Sequence, residues 1–283
     1  MRTESSRDLV LLVAAAALGA ISFLVFAPLL SGFGPAGPEV MLALGAFLVG
    51  HLKRFGILGG GLGSQVYIGQ LLTYGTKLTT ADIGLVAVAA VIAAIAAVVP
   101  RMLSGPAERP VTALTLSAAP RAGGRYFSPE LVMGLQACVA GLVIVALNEM
   151  LGLVQSAWAI TASTYVITNS ALGTVDRARR RIIGTIIGVP LGIACLPIAA
   201  HAPLLIWTAA ALAMVIYAMA LPEHYEIACG AFAFTLVVTL AVTGEHSVAL
   251  LFSRLWETLI GAGLGLVVAT MIWPLRTIDD RRA

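Results

Sequence analysis

Two ionisable residues near the C-terminal end of the chain combine groups suited to anion binding and to proton transfer. Arg254 and Glu257 lie three positions apart in an apolar run, so a helix places both on one face. Ionisable groups within a membrane span are costly and normally face a partner or a watery cavity. Two interpretations stay open: an ion pair within one helix, or an anion contact at Arg254 beside a proton-responsive Glu257.

A second run, residues 156–174, is unusually rich in hydroxyl and amide side chains. A helix of this polarity is poorly suited to lipid and well suited to lining an aqueous route, although hydrogen bonds between helices would also explain it. Together with the charged pair, this run supplies our candidate substrate-binding residues: Arg254, Glu257, Thr161, Thr164 and Asn169.

Glycines at intervals of four mark another run as a close helix contact. Gly184, Gly188 and Gly192 fall on one helix face, and missing side chains let two backbones approach closely in lipid. The alternatives are tight packing and a face that lines a narrow pathway. Thr185 would add polarity to this crossing, and Pro190, which lacks a backbone N–H, is predicted to kink the helix.

The densest charge cluster comprises Arg177, Arg179, Arg180 and Arg181, which we interpret as a basic cytoplasmic turn. One reading is an anchor on anionic lipid headgroups, at about 1 kcal/mol per residue. The other is an inner vestibule that gathers anionic solutes, because Arg binds carboxylates with two parallel hydrogen bonds. No aromatic residues interleave the cluster, so no nucleic-acid partner is expected.

The composition of the 283-residue chain indicates the solvent in which these groups lie. Apolar residues make up 59% of it and charged residues 11%, with a mean hydropathy of +0.98. A soluble fold of this size would have too few charges to cover its surface. We therefore predict an all-α, polytopic transmembrane helix bundle whose immediate partner is the lipid bilayer.

Apolar runs, and the Pro- and Gly-rich breaks between them, give about ten spans. They are 9–30, 37–51, 56–76, 82–103, 131–150, 156–174, 182–200, 204–221, 226–243 and 250–273. With the N-terminus in the cytoplasm, all but Lys77 and Arg254 of the 17 lysines and arginines fall on the cytoplasmic side. The sequence therefore predicts a multi-pass protein of the inner membrane with both termini in the cytoplasm.

The predicted spans fall into two groups. Residues 1–104 form an N-terminal membrane half of about four spans, 105–130 a cytoplasmic linker, and 131–283 a C-terminal half of about six spans. The segments that follow Arg54 and Arg181 both present small residues at intervals of four, so the halves are candidates for a degenerate parallel repeat.

Motifs for catalysis or metal binding are missing from the sequence. The chain has no GxSxG, HExxH or Walker A sequence. Cys138, Cys195 and Cys229 each lie in an apolar run without a CxxC or Cys/His cluster, as expected of small buried residues. We predict neither enzymatic activity nor a cofactor or metal.

The C-terminal half carries an ordered set of short motifs. They are Trp158-Ala-Ile-Thr-Ala, Arg181-Ile-Ile-Gly-Thr-Ile-Ile-Gly, the pair Tyr217 and Tyr225, and Arg254-Leu-Trp-Glu-Thr-Leu-Ile-Gly running to Trp273-Pro274. In this order the segment from Trp158 to Arg276 resembles the fusaric acid resistance (FUSC-like) family, which is related to aromatic acid exporters and, more distantly, to plant aluminium-activated malate transporters. The resemblance implies a six-helix unit of an anion or organic-acid export system.

The resemblance also implies that two such units surround the route. The larger exporters resemble two six-helix repeats separated by a cytoplasmic domain, whereas the first half of this chain is shorter. A homo-oligomer would supply what the single chain lacks, so we expect one.

Three functions follow as hypotheses. The leading one is a secondary exporter, or an exporter component, for small organic anions such as aromatic carboxylates, with Arg254 contacting the anion and Glu257 taking part in coupling. The others are a passive anion channel and a non-transporting membrane scaffold or assembly protein.

Overall fold

The structure is a computed structural model, and it describes residues 2–32, 34–76, 78–103, 128–152, 156–221, 223–242, 248–272 and 274–275. Within those ranges every regular element is helical, and none is a strand. A helix satisfies its own backbone hydrogen bonds, which an apolar chain requires in lipid. The predicted all-α class is confirmed.

The helices follow one another with short connections. They are α1 (Arg2–Ser31), α2 (Gly37–His51), α3 (Gly56–Thr76), α4 (Ile83–Leu103), α5 (Pro129–Leu151), α6 (Ser156–Val166), α7 (Ala171–Ala194), α8 (Leu196–His201), α9 (Pro203–Ala220), α10 (Tyr225–Val242) and α11 (Val248–Met271). Short 3-10 turns at Leu52–Phe55 and Thr80–Asp82 precede α3 and α4. Most of the predicted linker, residues 104–127, lies outside the described residues.

Several of these helices suit a membrane. Six stretches of the described residues are long and apolar enough to cross one, judged by length and composition: Arg7–Ser31, Gly37–Thr76, Thr80–Val99, Pro129–Leu151, Ala171–Ile198 and Phe252–Met271. The second of them contains both α2 and α3, and Leu204–Ala220 and Tyr225–Leu240 are apolar but shorter. A helical membrane bundle is therefore confirmed.

The predicted sixth span, 156–174, is wrong in length. α6 has 11 residues, which cover about 16 Å at 1.5 Å per residue, about half of the hydrocarbon core. Beyond it, Thr168 Oγ1 donates to the Ser170 carbonyl at 2.9 Å, and Ser170 caps α7 by accepting from Gly173 N at 3.0 Å. Such side chains satisfy backbone groups outside a helix and therefore end it.

The sequence predicted a turn at the basic cluster, and this prediction is wrong, because all four arginines lie within α7. The helix begins at Ala171, ten residues before Arg181, because Ser170 caps it and Arg and Ala favour helix. Asp176 and Arg180 also form an ion pair at 2.9 Å one turn apart. In the proposed repeat, Arg54 and Arg181 should both precede the start of a helix. α3 begins two residues after Arg54, but Arg181 lies inside α7, so this correspondence is lost. The repeat as a whole stays a prediction.

The chain divides into two compact units, Met1–Leu135 and Gln136–Ala283. In the first unit, α1 and α3 pack so closely that a Cβ atom at Gly19 would overlap the backbone of Val66, and one at Gly69 that of Ala16. Polar contacts tie the helices of this unit together, with Tyr74 donating to the Glu39 carboxylate at 3.2 Å.

The second unit contains two close helix pairs. α7 meets α10 where a Cβ atom at Gly184 or Gly188 would overlap the backbone at Gly230. α6 meets α11 where one at Gly261 would overlap the Ala159 carbonyl, and most residues of the short α6 are buried. Close backbone approach replaces the hydrophobic drive that lipid does not provide.

Gly261 and Gly263 offer a matched test of the α6–α11 contact. A Cβ atom at Gly261 would overlap the Ala159 backbone, whereas one at Gly263 meets nothing within 4 Å. We expect Gly261→Ala to lower, and Gly263→Ala to maintain or raise, the free energy of unfolding, with a difference of about 2 kcal/mol. Thermal unfolding in detergent measures it, and equal midpoints for the two variants would contradict the packing.

Candidate anion-binding site

Arg254 and Glu257 are buried on α11 with exposed fractions of 5% and 2%. They share a helix face with Gly261 and Gly265, since the four positions are spaced by three and four residues. Gly265 would clash with Ser163 of α6 if it carried a Cβ atom. The face that bears the charged pair is therefore the face that α11 presents to α6.

The guanidinium of Arg254 stacks on the indole of Trp158. Its Cζ atom lies 4.2 Å from the centroid of the ring, which α6 supplies. A desolvated cation over an indole gains about 2 kcal/mol. Trp256, the neighbour of Arg254 in the sequence, is 61% exposed and points away from this contact. The structure thus provides a cation and an aromatic surface side by side between two helices.

Trp158, Thr161 and Tyr165 form one face of α6, with spacings of three and four residues. Thr161 and Thr164 are buried, and their hydroxyls donate to the carbonyls of Ala157 and Ile160 at 2.8 and 2.7 Å. These hydroxyls therefore offer lone pairs rather than protons to the space beside α6, and donation to an anion requires rotation of the side chain.

Asn169 does not join the buried pair. It is exposed in the connection between α6 and α7, beyond the end of the polar helix. The remaining candidates, Thr161 and Thr164, belong to the helix that supplies Trp158. α11 contacts α6 at Ala159 and Ser163, so among the candidates the structure brings together Arg254 and Glu257, on one face of α11.

The small-residue face of α7 lies against α10 rather than against α11's charged pair. Gly184 and Gly188 approach Gly230, and Gly192 approaches Val237. Thr185 is buried and donates to its own helix at the Arg181 carbonyl, 2.9 Å away. Pro190 is exposed, and α7 continues past it to Ala194.

A groove of about 410 Å³ runs over this crossing between α7, α9 and α10. Its walls are almost entirely apolar, and Glu226 at one end is the charged residue among them. Neither Arg254 nor Glu257 lines it. An anion gains nothing from such walls, so the groove is separate from the candidate site.

The four arginines of the basic cluster have different surroundings. Arg179 is exposed, and Arg180 pairs with Asp176 at 2.9 Å and with Glu226 at 3.4 Å. Arg177 lies over the ring of Tyr225, 4.8 Å from its centroid, and Arg181 donates to the Tyr225 hydroxyl at 3.3 Å. Arg179 is thus the exposed member of the cluster, and the choice between a lipid anchor and an anion-gathering vestibule stays open.

Sequence reasoning missed Trp158 as the partner of Arg254. The signal was present, since Trp158, Thr161 and Tyr165 recur at helical spacing and mark one face of α6. What the sequence lacks is the contact between two helices that are almost one hundred residues apart. Among the described residues, no group of three or more His, Cys, Asp and Glu could hold a metal ion.

A double-mutant cycle tests the Arg254–Trp158 contact. We expect Trp158→Leu and Arg254→Gln to be coupled by about 1–2 kcal/mol in the free energy of unfolding, because each removes the same cation–π interaction. The control cycle replaces Trp256, which is exposed on the same helix as Arg254. Coupling to Trp158 as small as the coupling to Trp256 would contradict the contact.

Comparison with known proteins assigns the second unit to a family. Residues 139–268 match the family model described as fusaric acid resistance protein-like, and this range contains Trp158, Arg254 and Glu257. Searches of curated proteins and of solved structures give no match. The family is one of membrane transport, which indicates transport as the general role. The segment 139–268 is therefore similar to the fusaric acid resistance protein-like family, as the motifs in the sequence indicate.

Proposed function

We propose that the protein is a secondary exporter, or a component of one, for small organic anions such as aromatic carboxylates. The observation that carries the proposal is the buried Arg254, which lies over the Trp158 indole beside Glu257. A guanidinium binds a carboxylate through two parallel hydrogen bonds, and an indole face packs against an aromatic ring. The family match supports transport but names no substrate for this chain.

Glu257 would link anion binding to protonation. When its carboxylate is ionised, it repels an incoming anion and stabilises the positive charge of Arg254 on the same helix face. When it is protonated, that repulsion disappears and the anion becomes the counter-charge of Arg254. Proton and anion binding therefore favour each other, and flux through such a site depends on the pH gradient as well as on the anion gradient.

The other candidate residues would act around this site. Gly184, Gly188 and Gly192 bring α7 and α10 close together, and this contact would allow α7 to slide against α10 during transport. We place the protein in the inner membrane with both termini in the cytoplasm. Arg179, which is exposed in the basic cluster, would then attract anions at the cytoplasmic end of the route. A homo-oligomer would place two six-helix units around one route.

Transport in proteoliposomes tests the proposal. We expect the purified full-length protein to accelerate the flux of radiolabelled benzoate above that of empty liposomes. Arg254→Gln should reduce this flux at least tenfold, because about 1.4 kcal/mol of lost anion stabilisation already gives that factor. Arg254→Lys should retain more, since it keeps the charge and loses the bidentate geometry.

Coupling is tested with Glu257→Gln, which removes the ionisable group and keeps the shape. The wild-type flux should respond to an imposed pH gradient, and the variant flux should not. The control is Thr270→Val, an exposed position of α11. Wild-type flux that follows only voltage and concentration would support a passive channel, and wild-type flux in an Arg254→Ala/Glu257→Ala double variant would support a scaffold.

A further inference from the structure

Arg181 differs from the rest of the basic cluster in its surroundings. Its Nε atom is buried and makes no hydrogen bond to the described residues, while its Nη1 atom donates to the Tyr225 hydroxyl at 3.3 Å. Arg180, one position earlier, is paired with two carboxylates, Asp176 and Glu226. No carboxylate of the described residues pairs with Arg181 in this way.

Phenol groups from three helices lie in the neighbourhood of this cation, and that of Tyr225 contacts it. Tyr165 of α6 and Tyr225 of α10 interact electrostatically with the guanidinium, and so does Tyr217 of α9. A phenol hydroxyl donates and accepts hydrogen bonds, while its ring offers an apolar wall. The groups beside Arg181 are therefore polar and aromatic, with Arg177 on the ring of Tyr225 as a second cation.

A cation in such surroundings is stabilised by an anion that comes from outside the protein. Burial of a guanidinium removes its hydration, and neutral phenols return only part of the lost energy. An anion that accepts hydrogen bonds from the unpartnered Nε–H and from the adjacent Nη would replace the lost hydration energy through two parallel hydrogen bonds. An aromatic ring attached to that anion would lie among the tyrosine rings.

We propose that Arg181, with Tyr165 and Tyr225, forms a second binding site for small, preferably aromatic, carboxylates. The α6 helix places it relative to the first site, because Trp158 at Arg254 and Tyr165 at Arg181 share one helix face seven residues apart. Seven residues correspond to about 10 Å along the axis. An anion would thus pass between two cations along the same face of α6, and this arrangement rests on the proposed transport function.

Two sites in series have a physical advantage over one. A single site tight enough to strip water from an anion would also release it slowly, whereas two sites of moderate affinity allow both entry and exit. Arg179, Arg180 and Arg181 would then have separate roles, as a solvent-facing charge, an ion-pair residue and a binding residue.

Equilibrium binding of radiolabelled benzoate to the purified full-length protein in neutral detergent tests the second site. We expect Arg181→Gln to lose half of the benzoate bound per chain at saturation, and Arg181→Lys to bind at that site about tenfold more weakly. Arg54→Gln, at an exposed arginine of the first unit, should bind as the wild type does. Arg254→Gln should lose the other half.

Thermal unfolding separates binding from a purely structural role. Without benzoate, Arg181→Gln should unfold at the wild-type temperature or above it, because it removes a cation whose buried Nε lacks a hydrogen-bond partner among the described residues. Benzoate should raise the wild-type unfolding temperature more than that of the variant, and neutral benzyl alcohol should raise neither.

Different results overturn the two proposals. Wild-type stoichiometry in Arg181→Gln, or no saturable benzoate binding by the wild type, would overturn the second site, as would a lower unfolding temperature of unliganded Arg181→Gln. Undiminished benzoate flux in Arg254→Gln would overturn the proposed function, while a loss of half the bound benzoate in Arg181→Gln would still support the second site.

Discussion

Burial of the Arg254 guanidinium between α6 and α11 is the constraint on which the rest of the second unit depends. A cation in an apolar bundle needs compensation, and the Trp158 indole supplies part of it at 4.2 Å. The indole reaches the cation only because α6 and α11 approach closely at Gly261 and Gly265. Packing and chemistry are thus linked, because the glycines that join the helices also fix the distance between the ring and the charge.

The short α6 links the surroundings of Arg181 with those of the buried Arg254 and Glu257. It is too short to cross a membrane by itself, and it lies against α11 along its length. Its polar face leads from Trp158 to Tyr165, and so from the surroundings of Arg254 to those of Arg181. The apolar groove between α7, α9 and α10 lacks such groups. Charge and hydrogen bonding therefore support our proposal of an anion route along α6.

The sequence predicted the elements well where hydropathy alone determines them. α2 and α3 begin and end at the predicted residues, and Arg254 and Glu257 are buried on a shared face as their spacing indicated. It failed where local hydrogen bonds compete with hydropathy, as at Ser170, which ends the α6–α7 connection and begins a helix through the basic cluster. It also missed Trp158 and the separate surroundings of Arg180 and Arg181, because these depend on contacts between distant segments.

The position of a bound aromatic carboxylate is the most direct test of this account. Crystals grown with 4-bromobenzoate would show the ligand through the anomalous scattering of its bromine atom. We expect a peak beside Trp158 and Arg254, on the polar face of α6, that disappears in Arg254→Gln. A bromine peak confined to the apolar groove between α7, α9 and α10, unchanged by that substitution, would contradict it.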